Sequence, residues 1–129
     1  MPETDTRLNH MEISDLIVGE VGKSFVGNDS AIRKIFFTLL AGGHVLLEDL
    51  PGVGKTTLAL AFSKVLKLSC NRIQFTPDVM PTDVTGFTML GRDAHAMEYR
   101  PGAVMCNLLL ADEINRASTR TQSALLEAM

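Results

Sequence analysis

Pro51-Gly52-Val53-Gly54-Lys55-Thr56-Thr57 constrains this chain more than any other stretch. The wholly apolar run Val45-Leu46-Leu47 precedes it, and Leu58, Phe62, Val65 and Leu66 follow at helical spacing. A short run apolar at every position reads as a strand buried on both faces. The spacing after it predicts a helix from about Lys55 to Lys67. Strand, glycine loop and helix in that order open a doubly wound α/β fold. Glycines let backbone N–H groups converge on phosphate oxygens, because no side chain blocks the approach. The helix start adds its positive end. Pro51, Gly52, Val53, Gly54, Lys55, Thr56 and Thr57 are therefore candidate phosphate contacts. Lys55 would reach the β- and γ-phosphates, and the Thr56 hydroxyl would ligate Mg²⁺. The formal pattern G-x-x-x-x-G-K-[ST] asks for glycine at 49, where Asp49 stands. The plain alternative is a strand-to-helix turn with an incidental lysine.

A magnesium nucleotide site also needs a carboxylate near the metal, and hydrolysis needs a group that polarises water. Both belong at the carboxyl edge of the sheet. Leu108-Leu109-Leu110-Ala111-Asp112-Glu113 supplies that order, an apolar strand ending in two acids. Asp112 would hold Mg²⁺, usually through water, and Glu113 would act as general base on the attacking water. The plain alternative is a strand that merely ends in two acids. Asp83-Val84-Thr85-Gly86 matches the D-x-x-G of GTPases formally, but follows Pro81 and Thr82 rather than an apolar run. No N-K-x-D accompanies it, so guanine recognition is discounted.

The chain has 129 residues, 12 basic against 15 acidic, for a formal net charge of −3. That length allows one domain at most. An acidic chain offers no global basic footprint, so neither nucleic acid nor an anionic membrane is an expected partner. The apolar stretch Ile35 to Leu47 is interrupted by Gly42, Gly43 and His44, short of the about 20 residues a spanning helix needs. Met1 to His10 lacks the pattern of a signal peptide, so a cytoplasmic location is expected. Cys70 and Cys106 have neither metal-ligand nor redox spacing and read as small buried hydrophobes. His10, His44 and His95 are scattered, and the methionines read as core filling.

Elsewhere the pattern predicts a helix through Leu8, Met11, Leu16, Ile17 and Val21, ending near Gly22. Asn28 or Asp29 can cap the next helix, whose face carries Ile32, Ile35, Phe36, Leu39 and Leu40. Gly42 and Gly43 stop it. Arg72 to Phe75 reads as a strand and Thr82 to Gly86 as a short helix. Phe87 to Leu90 and Ala96 to Tyr99 read as hairpin arms. A last helix holds Ala124, Leu125 and Leu126.

With those residues in place, the chain resembles the start of a MoxR-type AAA+ ATPase. The likeness is carried by Phe25-Val26-Gly27-Asn28, by Leu40 to Thr56, by Arg72-Ile73-Gln74-Phe75-Thr76-Pro77-Asp78 and by Pro81 to Gly86. Arg100-Pro101-Gly102, Ala111-Asp112-Glu113-Ile114-Asn115-Arg116-Ala117 and Thr121 to Met129 complete it. Asp49 is compatible with the family, whereas Asn28, Ser118 and Thr119 depart from its usual residues without touching phosphate chemistry. The resemblance implies a P-loop αβα sandwich with a parallel sheet, of which residues 1–129 would hold only strands 1 to 3. It places Val26 and Gly27 beside the adenine and makes the hairpin after Gly86 an insert of this branch. It implies ATP and Mg²⁺ as ligands, with hydrolysis to ADP and phosphate driving chaperone-like remodelling. A homo-oligomeric ring, commonly hexameric, and a partner with a von Willebrand factor A domain also follow. Asn115 and Arg116 are implied as nucleotide sensors or subunit contacts, against a plain solvated or salt-bridged arginine. A nucleotide-binding switch or an inactive fragment without turnover is the second reading, and a partner-binding adaptor with a vestigial loop is the third. In the family sheet, order 5-1-4-3-2, the strand at Val45 and that at Leu108 are not neighbours. The chain alone is therefore expected to leave apolar faces uncovered.

Overall fold

The computed structural model describes residues 9–25, 28–48, 54–92 and 95–129. The chain divides into two compact units, Met1–Lys67 and Leu68–Met129.

The first unit is helical among its described residues. Helix α1 spans His10–Ser24, α2 Asp29–Leu40 and α3 Lys55–Leu66. A capping box opens α1. The Asn9 side chain accepts from the Glu12 N–H at 2.9 Å, and the Asn9 N–H donates to the Glu12 carboxylate at 2.8 Å. Two orphan donors of the helix end are thereby satisfied. Asn28 caps α2 by accepting from the Ser30 N–H at 2.9 Å, as its residue type predicts. Val18, Val21, Ile32, Phe36, Leu58, Ala61 and Phe62 are buried. They bring α2 and α3 against α1. An Arg33–Asp15 ion pair at 2.7 Å ties α2 to α1 at the surface. The buried face of α1 is Ser14, Val18 and Val21, not the full set predicted, since Met11 and Leu16 are exposed. Ser14 tolerates that position because its hydroxyl donates to the His10 carbonyl at 2.9 Å.

The expected strand at Val45–Leu47 is absent. Residues 43–48 carry no regular structure, and Val45, Leu46 and Leu47 are exposed. A strand exists only through its ladder of partner hydrogen bonds. No described segment pairs with this one, so an apolar run alone does not make it a strand.

The second unit holds the rest of the fold. Strand β1 is Cys70–Gln74, α4 is Pro81–Thr85, β2 is Gly86–Leu90, β3 is Met97–Pro101, β4 is Leu108–Asp112 and α5 is Thr119–Ala128. A 3-10 turn, Ile114–Arg116, joins β4 to α5. Strands β1 and β4 pair in parallel, with Cys70 opposite Leu108 and Gln74 opposite Asp112. Strands β2 and β3 form an antiparallel hairpin, as the pattern around Gly91 predicts. Phe75, Val84, Ala117 and Leu125 form the core of this unit, with Ile73, Val79, Val104, Leu109 and Ala111 packed on it. Thr121 is fully buried in α5, and its hydroxyl donates to the Val79 carbonyl at 2.7 Å. That bond removes the cost of burying a hydroxyl. The unit is α/β with a parallel pair, which is the expected fold class, but only two of the three predicted strands are present in parallel pairing.

Candidate functional site

The glycine loop meets α3 at Gly54. This residue is the N-cap of α3 with φ 72° and ψ 4°, in the left-handed region. A Cβ there would lie 2.5 Å from the Phe25 ring. Backbone conformation and lack of space both select glycine. A glycine cap supplies no side-chain acceptor, and none caps this helix. The first-turn N–H groups of a helix have no intrahelical partner. The first turn of α3 also contains no acid, and its first residue is Lys55. A cation at a helix N-terminus is unfavourable by itself. A bound anion reverses the sign, because the lysine and the N–H groups then act together. Lys55 and Thr56 are half-buried and Thr57 is exposed. Val26, Gly27, Pro51, Gly52 and Val53, the other predicted nucleotide contacts, lie outside the described residues.

The acidic pair sits at the carboxyl end of β4. Asp112 is the last strand residue, and its carbonyl accepts from the Phe75 N–H at 2.9 Å. That bond fixes the strand end. The Asp112 carboxylate, 28% exposed, accepts from Arg72 at 3.1 Å. Glu113 follows with φ 54° and ψ 44°, left-handed for a residue with a Cβ. Such backbone costs about 1–2 kcal/mol and persists only when its surroundings impose it. The imposing contacts are visible here. The Glu113 carbonyl accepts from the Arg116 N–H at 3.0 Å, and the Glu113 carboxylate accepts from the Arg116 guanidinium at 2.8 Å. Arg116 is itself exposed, and Glu113 is the partner of its guanidinium.

Hard oxygen donors of the kind magnesium takes occur in each unit by itself. Among the described residues no group of three or more His, Cys, Asp or Glu side chains is placed to hold a metal alone. Mg²⁺ does not require one. It keeps several waters and binds through one or two carboxylates plus phosphate oxygens. The Asp112 carboxylate and Thr56 hydroxyl are hard oxygen donors of that kind.

The D-x-x-G match has a local explanation. The Asp83 carboxylate accepts from the Met80 N–H at 2.8 Å, at the start of α4. Gly86 has φ 87°, and a Cβ there would collide with the Arg100 carbonyl and Tyr99. Both residues are explained by folding. Cys70 and Cys106 are free and half-buried. Burial, then the neighbouring Cys106, pushes the Cys70 thiol above its ordinary range. Residue reasoning missed Arg72 as a partner of Asp112. The two are 40 positions apart in sequence, and only the strand register brings them together.

Comparison with known proteins follows the same lines. Residues 44–129 match the family described as ATPase family associated with various cellular activities (AAA). The chain is similar to protein YeaC of Bacillus subtilis strain 168, itself of uncharacterized function, at 51% identity over 112 residues. That covers 87% of this chain and 35% of YeaC. It is similar to chaperone MoxR1 of Mycobacterium tuberculosis at 46% identity, covering 85% of this chain and 29% of MoxR1. A solved structure from Cytophaga hutchinsonii, assigned only provisionally as an ATPase, superposes with a TM-score of 0.69 at 40% identity. It covers 88% of this chain and 34% of that one. The chain thus spans about a third of the length of the relatives it matches. With its motifs, its parallel strand pair and these likenesses, the chain belongs to the AAA family of ATPases, on the MoxR-type side of it.

Proposed function

We propose that this chain binds ATP with Mg²⁺ and, within its whole protein, hydrolyses it to ADP and phosphate. The observation that carries this reading is the bare start of α3. Gly54 provides a left-handed cap without a side-chain acceptor, Lys55 and Thr56 follow at once, and the first turn has no acid. That combination offers a polyphosphate positive charge and a helix start with no side-chain cap. In this reading the α3 N–H groups and Lys55 hold the phosphates, and Thr56 with Asp112 holds the metal. Bound Mg²⁺ would neutralise charge developing on the phosphate oxygens. Glu113 takes a proton from the attacking water. Val26 and Gly27 would line the adenine, and Pro51, Gly52, Val53 and Thr57 would complete the loop.

The wider role follows from the MoxR likeness. It comprises a homo-oligomeric ring, commonly hexameric, and chaperone-like remodelling of a partner with a von Willebrand factor A domain. Residues 1–129 would then be the first portion of the ATPase core. No helix among the described residues is long and apolar enough to cross a membrane. Phosphate release by the full natural protein tests the activity. Glu113→Gln is expected to abolish turnover and keep ATP binding, and Lys55→Ala to weaken binding itself. Binding without turnover in the unmutated protein would support a nucleotide switch instead. No binding at all would sink both readings.

A further inference from the structure

Arg72 lies on β1 opposite Leu110, and Asp112 stands two residues beyond Leu110 on β4. Side chains two apart on a strand share a face, so Arg72 and Asp112 meet diagonally across the parallel pair. Arg72 Nη2 donates to Asp112 Oδ2 at 3.1 Å. It is a single contact to one oxygen, and among the described residues no other side chain bonds to this carboxylate. The Asp112 side chain is 28% exposed and that of Arg72 is 49% exposed. The carboxylate is therefore partly shielded, while the guanidinium faces water on its far side.

We propose that Arg72 is a positioning residue, restraining the Asp112 carboxylate that would hold the Mg²⁺ of the nucleotide. The inference rests on the function proposed above and concerns the same site. Two effects oppose each other. The guanidinium restrains the rotamer of a carboxylate that would otherwise sample several. Its positive charge also repels a dication. Solvent and salt screen a half-exposed charge. The directional hydrogen bond is not lost by screening, so restraint decides the sign. Groups that orient a metal ligand typically change metal affinity 10- to 100-fold when removed.

The test uses the full natural protein with a fluorescent N-methylanthraniloyl ATP, titrated with Mg²⁺. Electron paramagnetic resonance of Mn²⁺ gives a second, direct reading of metal binding. Arg72→Ala should raise the half-saturating metal concentration about tenfold or more, leaving nucleotide affinity in excess chelator unchanged. Arg72→Lys should recover part of the loss. In an Asp112→Asn background, Arg72→Ala should add nothing. An unchanged or lowered half-saturation would overturn the proposal, as would an equal effect in the Asp112→Asn background. Should Arg72→Ala fail to fold, Arg72→Gln and Arg72→Lys carry the same comparison, and equal metal affinity across them overturns it. Metal-independent nucleotide binding, or none, in the unmutated protein would instead remove the proposed function and this inference with it.

Discussion

Gly54 and Glu113 are two candidate-site positions, one in each unit, with a left-handed backbone, and they differ in who bears the cost. Glycine adopts φ 72° freely, whereas Glu113 holds φ 54° with a full side chain. Gly54→Ala should destabilise the protein by about 1–2 kcal/mol from backbone alone, with further loss from crowding Phe25. A urea midpoint lowered at constant slope would report it. Glu113→Gly should do the reverse. Relief of left-handed strain should stabilise by about 1 kcal/mol, offset in part by the freer unfolded chain. The same change removes the proposed base, so stability should rise while phosphate release disappears. A midpoint that falls in Glu113→Gly would show that the Arg116 pair outweighs the strain. Cys70 gives a pH-dependent prediction. Its thiol ionises above the ordinary range when folded. The folded state then holds this proton more tightly than the unfolded state. Stability from this group is full below the unfolded-state value and falls as pH rises through the folded one. Iodoacetamide near pH 8 should label Cys70 more slowly in the native protein than in urea, and equal rates would contradict the burial.

Among the elements, local signals are legible in the sequence and partnered ones less so. Caps and turns act over three or four residues, so Asn28 and Gly42 are legible as chain punctuation, whereas α4 begins at Pro81, one residue before the predicted Thr82. The hairpin β2–β3 was visible because alternation and the turn at Gly91 both lie within one short stretch. Val45–Leu47 shows the limit. Its composition predicts a buried strand, yet strandness depends on a neighbour that composition does not encode. The offset face of α1 has the same origin, because tertiary contacts decide which stripe of a helix is covered. The candidate site divides likewise. Lys55, Thr56, Asp112 and Glu113 follow from motif spacing, whereas the Arg72 contact follows from register. Thr121 tests how much a single tertiary bond stabilises an element. Thr121→Val keeps the shape and leaves the Val79 carbonyl without its donor. It should cost about 1–3 kcal/mol, read from the shift of the thermal midpoint. Thr121→Ser keeps the hydroxyl and should recover most of it.

At the scale of the whole molecule, several large apolar side chains are exposed among the described residues. Leu40, Leu46 and Met11 are 66%, 74% and 77% exposed in the first unit. In the second, Phe87, Leu90, Met97 and Leu126 are exposed too. Single exposed hydrophobes are ordinary, but runs such as Val45–Leu47 form patches that favour association. Both edges of the parallel pair β1–β4 also carry unpaired strand groups among the described residues, a template for pairing with other chains. The 129-residue chain prepared by itself should therefore bind 8-anilinonaphthalene sulfonate in buffer and associate as its concentration rises. Nucleotide with Mg²⁺ should raise its thermal midpoint by mass action, since only a folded loop binds it. Hydrophobic dye binding and light scattering, followed from low to high micromolar concentration, check the first expectation. A monodisperse monomer with one sharp unfolding transition and no dye signal would mean that the described apolar surface is covered in solution. The uncovered apolar faces inferred from the unpaired Val45–Leu47 run would then be refuted, while the AAA membership would stand on its own residues.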